Sequence, residues 1–167
     1  LPLPFPCVAC IKMMFLMDTN LSKLSTAAAE FDVPESRIGQ LITPLTGYSN
    51  YGREVFAIDN GAFSGFDSKK FFRLLSRETP NRGRCKFVAV PDVVGSARRT
   101  LELFRHFAPQ LRGWPLALVC QNGQEDLEIP WCEIKAVFIG GSENVSGYEW
   151  KTSQASQQII RTAQALG

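Results

Sequence analysis

Four short apolar runs recur along this chain, and each meets a polar residue or a glycine within two residues of its end. They are Val55 to Ile58, Lys86 to Val90, Leu116 to Val119 and Ala136 to Ile139. The runs are continuous rather than alternating, which is the pattern of strands covered on both faces. Helical patterns follow the first two and the last. Strand, loop, helix in repetition is the grammar of a parallel sheet with crossover helices. With Phe15 to Met17 as an earlier strand, about five parallel strands are expected.

No G-x-G-x-x-G follows the early strands, so a dinucleotide-binding sheet lacks its signature. Polar groups at the C-terminal ends of successive strands point instead to a (β/α) barrel. A closed barrel of that kind has eight strands and roughly 250 residues, whereas this chain has 167. The expected fold is therefore α/β, a partial TIM-type barrel, and the chain is expected to be the N-terminal portion of a longer one. Such an opened sheet exposes an edge and apolar surface, so self-association is expected.

The elements can be placed more closely. Leu21 to Phe31 reads as a helix capped by Thr19 or Asn20. Pro34 to Tyr51 reads as loop, with a short helix around Ile38 to Ile42. Asp67 or Ser68 caps a helix with Phe71, Leu74 and Leu75 on one face. Ser96 caps another that buries Ala97, Leu101, Phe104 and Ala108. Ser153 caps the last, with Ala155, Ile159, Ala163 and Leu166 facing inward.

Composition narrows the function classes. Hydrophobic residues make up 45% and charged residues 20%, the balance of a globular protein and not of a disordered one. A net charge of +2 argues for no polyanion by itself. A basic window of Lys69, Lys70, Arg73, Arg77, Arg82, Arg84 and Lys86 reads as a phosphate-facing patch or as the solvated face of a helix. The 5 cysteines are Cys7, Cys10, Cys85, Cys120 and Cys132, an odd and uneven set that makes no disulfide framework. Reduced thiols in a cytoplasmic protein are expected, with no metal and no cofactor. Residues 1–12 hold three prolines and no basic leader region, which fits neither a signal peptide nor a membrane span. They are expected to be a non-native or disordered leader before a domain spanning 13–167, with the natural start near Met13 or Met14.

The strand ends carry the candidate chemistry: Asp59, Asp92, Gln121 and the pair Gly140–Gly141. In a parallel barrel all of them rise at one rim. A carboxylate accepts two side-by-side N–H donors, as on the pairing edge of guanine, and a glutamine offers a donor and an acceptor. Adjacent glycines let a ring lie close to backbone N–H groups. A second carboxylate near a glycosidic carbon can move a proton to or from the base. Each residue also has a plain reading. Asp59 followed by Asn60 and Gly61 makes an Asx turn, Asp92 bonds the N–H groups of the next helix, Gln121 lies in a loop, and the glycines serve a tight turn.

The segments AIDNGAFSGF (Ala57 to Phe66), FVAVPDVVGSARRTLELF (Phe87 to Phe104), ALVCQNGQE (Ala117 to Glu125) and IPWCEIKAVFIGGS (Ile129 to Ser142) together resemble the tRNA-guanine transglycosylase-like superfamily. The resemblance is nearest to the queuine tRNA-ribosyltransferase-like branch that includes deazapurine DNA-modification transglycosylases. It runs from about Phe15 to the end of the chain, and Trp150–Lys151 also looks like that branch. It implies a (β/α) barrel that exchanges guanine in a nucleic acid, DNA more than tRNA, for a 7-deazaguanine. It implies Asp59 as general acid/base, Asp92 and Gln121 as base readers, Gly140 and Gly141 as backbone contacts to the base, and Phe63 as a wall. Asn60 and Ala62 stand where the D-S-G-G-F motif has serine and its second glycine, which implies a narrower pocket. No later strand supplies the family's nucleophilic aspartate, and its zinc-binding cysteines are missing, so no turnover is expected. Two other readings stay open: a non-catalytic module that binds a guanine-like base, and an unrelated barrel glycosidase using Asp59 and Asp92.

Overall fold

Every strand lies beside its neighbour in sequence. The computed structural model, described for residues 14–30, 32–46, 55–141 and 147–167, contains β1 (Phe15–Met17), β2 (Ile38–Ile42), β3 (Phe56–Ile58), β4 (Cys85–Ala89), β5 (Leu116–Cys120) and β6 (Ala136–Ile139). All pair in parallel, in the order β1-β2-β3-β4-β5-β6. A doubly wound sheet reverses its order at a switch point. An unbroken order is that of a barrel wall, and the sheet curls as half of one. The helices are α1 (Leu21–Glu30), α2 (Ser68–Glu78), α3 (Ala97–Phe107), α4 (Gly147–Thr152) and α5 (Gln154–Leu166). Residues 1–12, with Cys7 and Cys10, lie outside the described residues.

The two faces of the sheet follow the period-2 rule. Phe56, Ile58, Val88, Leu116, Leu118 and Cys120 face the helices and join Phe71, Leu74, Leu101, Phe104 and Ile159 in one core. Ala57, Ala89, Ala117, Val119 and Phe138 alternate with them on the concave side. Phe71 and Phe104 are 0% and 1% exposed, so each contributes about 1.5–3 kcal/mol by leaving water. The α2 and α3 helices bury the faces that their sequence spacing predicts. The last helix departs from expectation: Ser156 and Ile159 are its buried residues, while Leu166 is 63% exposed.

Caps hold where a side chain has room to reach back. Asn20 Oδ1 accepts from Lys23 N, Asp67 Oδ1 from Lys70 N and Ser153 Oγ from Ser156 N. Ser96 occupies the N-cap position of α3 without a side-chain bond. Its helix is tied down instead by Ala97 N donating to Asn122 O and by Val93 N donating to Thr100 Oγ1.

The sixth strand is a correction. Ile38 to Ile42, expected as a short helix in a loop, is β2, wedged between β1 and β3. Gly39 and Gln40 disguise it, because both are poor strand formers. Their roles are tertiary. A Cβ on Gly39 would lie 2.6 Å from Leu16 Cδ2 and 2.7 Å from Val55 O, so only glycine lets the strand pack there. Gln40 is 1% exposed and donates from Nε2 to Thr19 O at 3.0 Å. The crossovers also vary: between β5 and β6 the chain makes only 3-10 turns, at Gln124–Asp126 and Trp131–Glu133.

The basic window does not gather in one place. Lys69 and Lys70 sit in the first turn of α2, which follows the C-terminal end of β3. The helix is 11 residues long, or about 16 Å at 1.5 Å per residue, and it carries Arg82, Arg84 and Lys86 to the opposite end of the strands. Arg77 pairs with the buried Glu78 at 3.0 Å, and Arg84 donates to Asn81. Among the described residues no helix is long and apolar enough to cross a membrane.

Gly39→Ala tests the placement of β2. The substitution should lower the free energy of unfolding by roughly 1–3 kcal/mol, the cost of forcing a methyl group against backbone. Chemical denaturation measures it, and an unchanged midpoint would remove β2 from the sheet.

Candidate functional site

The chain leaves β3, β4, β5 and β6 at the same end of the sheet, because parallel strands share a direction. Asp59–Asn60, Asp92, Gln121 and Gly140–Gly141 are the residues at those exits. They line one open cavity of about 210 Å³, with Phe63, Val94, Val119, Phe138, Ile139 and Lys151. The expected site residues are thus brought together. A larger hollow of about 430 Å³ lies on the helical side, between α3 and the 128–133 segment. Strand ends do not converge on it, so the smaller cavity is the candidate site.

Asp92 is the centre of the floor. Its Oδ1 accepts from Asn60 Nδ2 at 2.8 Å, and its Oδ2 accepts from Gln121 Nε2 at 2.6 Å. Asn60 Nδ2 also donates to Val90 O at 2.9 Å. Gln121 Oε1 accepts from Gly95 N at 2.9 Å and from Gly141 N at 2.8 Å. One carboxylate and two amides thus tie the ends of β3, β4, β5 and β6 together. Burial pushes the Asp92 carboxyl above its usual value; the Asn60 amide pulls it back, the neighbouring Asp59 charge pushes it up, and the Gln121 amide pulls it back again.

Each predicted residue has a definite place. Asp59 is partly buried, and its Oδ1 accepts from Gly61 N at 2.6 Å, so the Asx turn is present. Its other oxygen has no hydrogen-bond partner among the described residues, and the same side chain lines the cavity. Gln121 is 2% exposed, yet it borders the cavity. Both lone pairs of its carbonyl oxygen are occupied, which leaves one Nε2 hydrogen beyond the bond to Asp92. Phe63 lies at the mouth with 91% of its surface exposed, in a 3-10 turn at Ala62–Ser64 between two glycines of positive φ, Gly61 and Gly65.

The glycine doublet is explained by packing rather than by free donors. Gly140 N donates to Cys120 O at 2.9 Å, and Gly141 N serves Gln121, so neither N–H is unpaired in this state. A Cβ on Gly140 would lie 2.6 Å from Gln121 Nε2 and 2.9 Å from Val119 Cγ1. Gly141 has φ +108°, a conformation that other residues rarely adopt.

Two residues escaped the sequence reading. Asn60, taken there as a pocket-narrowing substitution, is 3% exposed and bonds Asp92 directly. The only signal in the sequence was an amide directly after Asp59 at a strand exit. Lys151, noted only as part of Trp150–Lys151, reaches the cavity from α4. Below the site Cys120 is buried, and desolvation pushes its thiol up to about 12, so it stays protonated and inert. Among the described residues no cluster of three metal-ligating side chains occurs.

Two outcomes test this geometry. Asp92 binds its proton more tightly folded than unfolded, so its stabilising contribution is complete below 3.8 and is lost as pH rises through the raised folded value. Thermal melting at stepped pH should show the wild type losing stability relative to Asp92→Asn as pH rises above 3.8; parallel curves would contradict it. Gly140→Ala should cost roughly 1–3 kcal/mol by driving a methyl group into the Gln121 amide, read from denaturant midpoints. Compared with protein-family models, curated proteins and solved structures, the chain finds no match.

Proposed function

We propose that the cavity binds a guanine-like base and that the chain belongs to a base-exchange reaction, in which guanine in a nucleic acid is replaced by a 7-deazaguanine. DNA is the preferred substrate on the resemblance of the four strand-end segments to deazapurine DNA-modification transglycosylases. The single observation that carries the reading is the partly buried Asp92 carboxylate, held by two amides at the floor of a cavity that Asp59 also lines.

The chemistry runs as follows. Each Asp92 oxygen accepts one internal bond and has a lone pair left. Paired N–H donors on the edge of a guanine ring fit those two sites. The remaining Nε2 hydrogen of Gln121 suits a ring carbonyl or nitrogen. Gly141 N is available to a base only if the base takes the place of Gln121 Oε1. The apolar walls Val94, Val119 and Ile139 accept the faces of a flat ring, and Phe63 closes over it from the mouth. Asp59 has an oxygen not engaged in its turn, which suits proton transfer to a departing base or from an arriving one. The target nucleotide reaches the cavity by flipping out of its stack.

A non-catalytic base-binding module is the second reading, and one observation favours it. Asp59 and Asp92 are the only carboxylates among the described residues lining the cavity. Both have roles above, so neither remains to attack an anomeric carbon.

Binding and exchange separate the two. Guanine and 7-deazaguanine should bind in calorimetry, and Asp92→Ala should weaken binding at least tenfold, on the order of a lost charge-assisted pair. Incorporation of labelled 7-deazaguanine into DNA or tRNA by the full-length gene product, followed by mass spectrometry of the nucleosides, identifies the enzyme; binding without incorporation by that product identifies the module. Absence of binding to either base would end both readings.

A further inference from the structure

Among the described side chains of α4, only Lys151 lines the cavity. Trp150, its neighbour on α4, is 7% exposed, lies in the main core and donates from Nε1 to Glu125 Oε2 at 2.7 Å. Ser153 Oγ donates to Trp150 O at 2.7 Å, and Ser156 Oγ donates to Lys151 O at 2.8 Å. The backbone that carries Lys151 is thus pinned by a buried indole and two hydroxyls. The side chain itself is exposed and lines the cavity shared with Asp59 and Asp92. No carboxylate among the described residues lies within ion-pair distance of its ammonium group.

A flexible surface lysine needs no such footing. An anchored backbone restricts where the ammonium can reach, and the cost of fixing a lysine falls accordingly. The depth order of charge matters as well. The Asp92 carboxylate lies at the floor, apolar side chains form the walls, and Lys151, the only lysine among the described residues lining the cavity, stands in solvent at the mouth. A nucleotide has the same order in complement: a ring with N–H donors at one end and an anion at the other. Of the basic residues expected to meet phosphate, Lys69 and Lys70 begin α2 and Arg82, Arg84 and Lys86 lie at the opposite end of the strands, and none of them lines the cavity.

We propose that Lys151 is the phosphate anchor of the site, so that the cavity takes a base together with its 5′-phosphate and not the free base alone. Glu125 and Trp150 are positioning residues that hold Lys151 at the mouth. The assignment rests on the reading of the cavity as a guanine site, and it makes the ligand a nucleotide or a nucleotide within a strand. Lysine binds phosphate as a point charge through three N–H donors, so the contact is salt-sensitive.

Three probes decide it: guanosine, guanosine 5′-monophosphate and ribose 5-phosphate, each titrated calorimetrically into the wild type, Lys151→Gln and Lys151→Arg. The monophosphate is expected to bind the wild type on the order of tenfold more tightly than guanosine. Lys151→Gln should erase that advantage and leave guanosine binding unchanged, while Lys151→Arg keeps it. Added salt should reduce the advantage in the wild type and in Lys151→Arg. Equal weakening of both ligands by Lys151→Gln, or an unchanged ratio, overturns the anchor and leaves the base site standing. Ribose 5-phosphate binding that depends on Lys151, without guanosine binding, supports the anchor and ends the guanine reading. If no probe binds, both fall.

Discussion

The bridge from Asn60 through Asp92 to Gln121 is the interaction on which the rim of this half-barrel depends. Adjacent parallel strands are joined along their lengths by backbone bonds, but their ends are free to splay. Here a single carboxylate accepts from an amide at the end of β3 and another at the end of β5, and that second amide is tied in turn to Gly141 beyond β6. A partly buried acid is costly unless its oxygens are satisfied. Two amide donors supply that, and the leftover lone pairs face the cavity. The same bonds therefore shape the rim and set aside acceptor capacity for a ligand.

This arrangement explains features that look unrelated in isolation. Gly140 is bare because the Gln121 amide occupies the space of its Cβ. Asp59 is held by its own turn through one oxygen, and its nearby charge contributes to raising the Asp92 carboxyl. Val93 and Gly95 are held by Thr100 and Gln121, which fixes the loop after β4 against both α3 and β5. The concave residues Ala57, Ala89 and Ala117 are small and buried, while the bulk of the core lies on the helical side.

Much of the fold was legible in particular residues. The β5 run LALVC is buried throughout and reads as a strand from either end. The Phe71, Leu74 and Leu75 spacing reads as one helix face, and it is buried as such. Where reading failed, local propensity and tertiary need pointed in different directions. IGQLI contains two residues that weaken an isolated strand, yet its neighbours require a glycine and satisfy the glutamine. Leu166 fits an inward helical spacing, but the helix ends there and the side chain lies in solvent. The basic window is continuous in sequence and dispersed in space, because the 11 residues of α2 carry the chain from one end of the strands to the other.

By itself the sequence determined the class of architecture and the addresses of the polar groups, because strands covered on both faces must be apolar and must end where polarity begins. It identified Asp59, Asp92, Gln121 and the glycine pair as strand-end residues on that ground alone. Only the tertiary structure decided what those residues do to one another. That Asn60 rather than solvent meets Asp92, that the glycine N–H groups are already bonded, and that Lys151 stands over the same cavity depend on strand register and sheet curl. Those are set by packing between segments tens of residues apart, which no local pattern encodes.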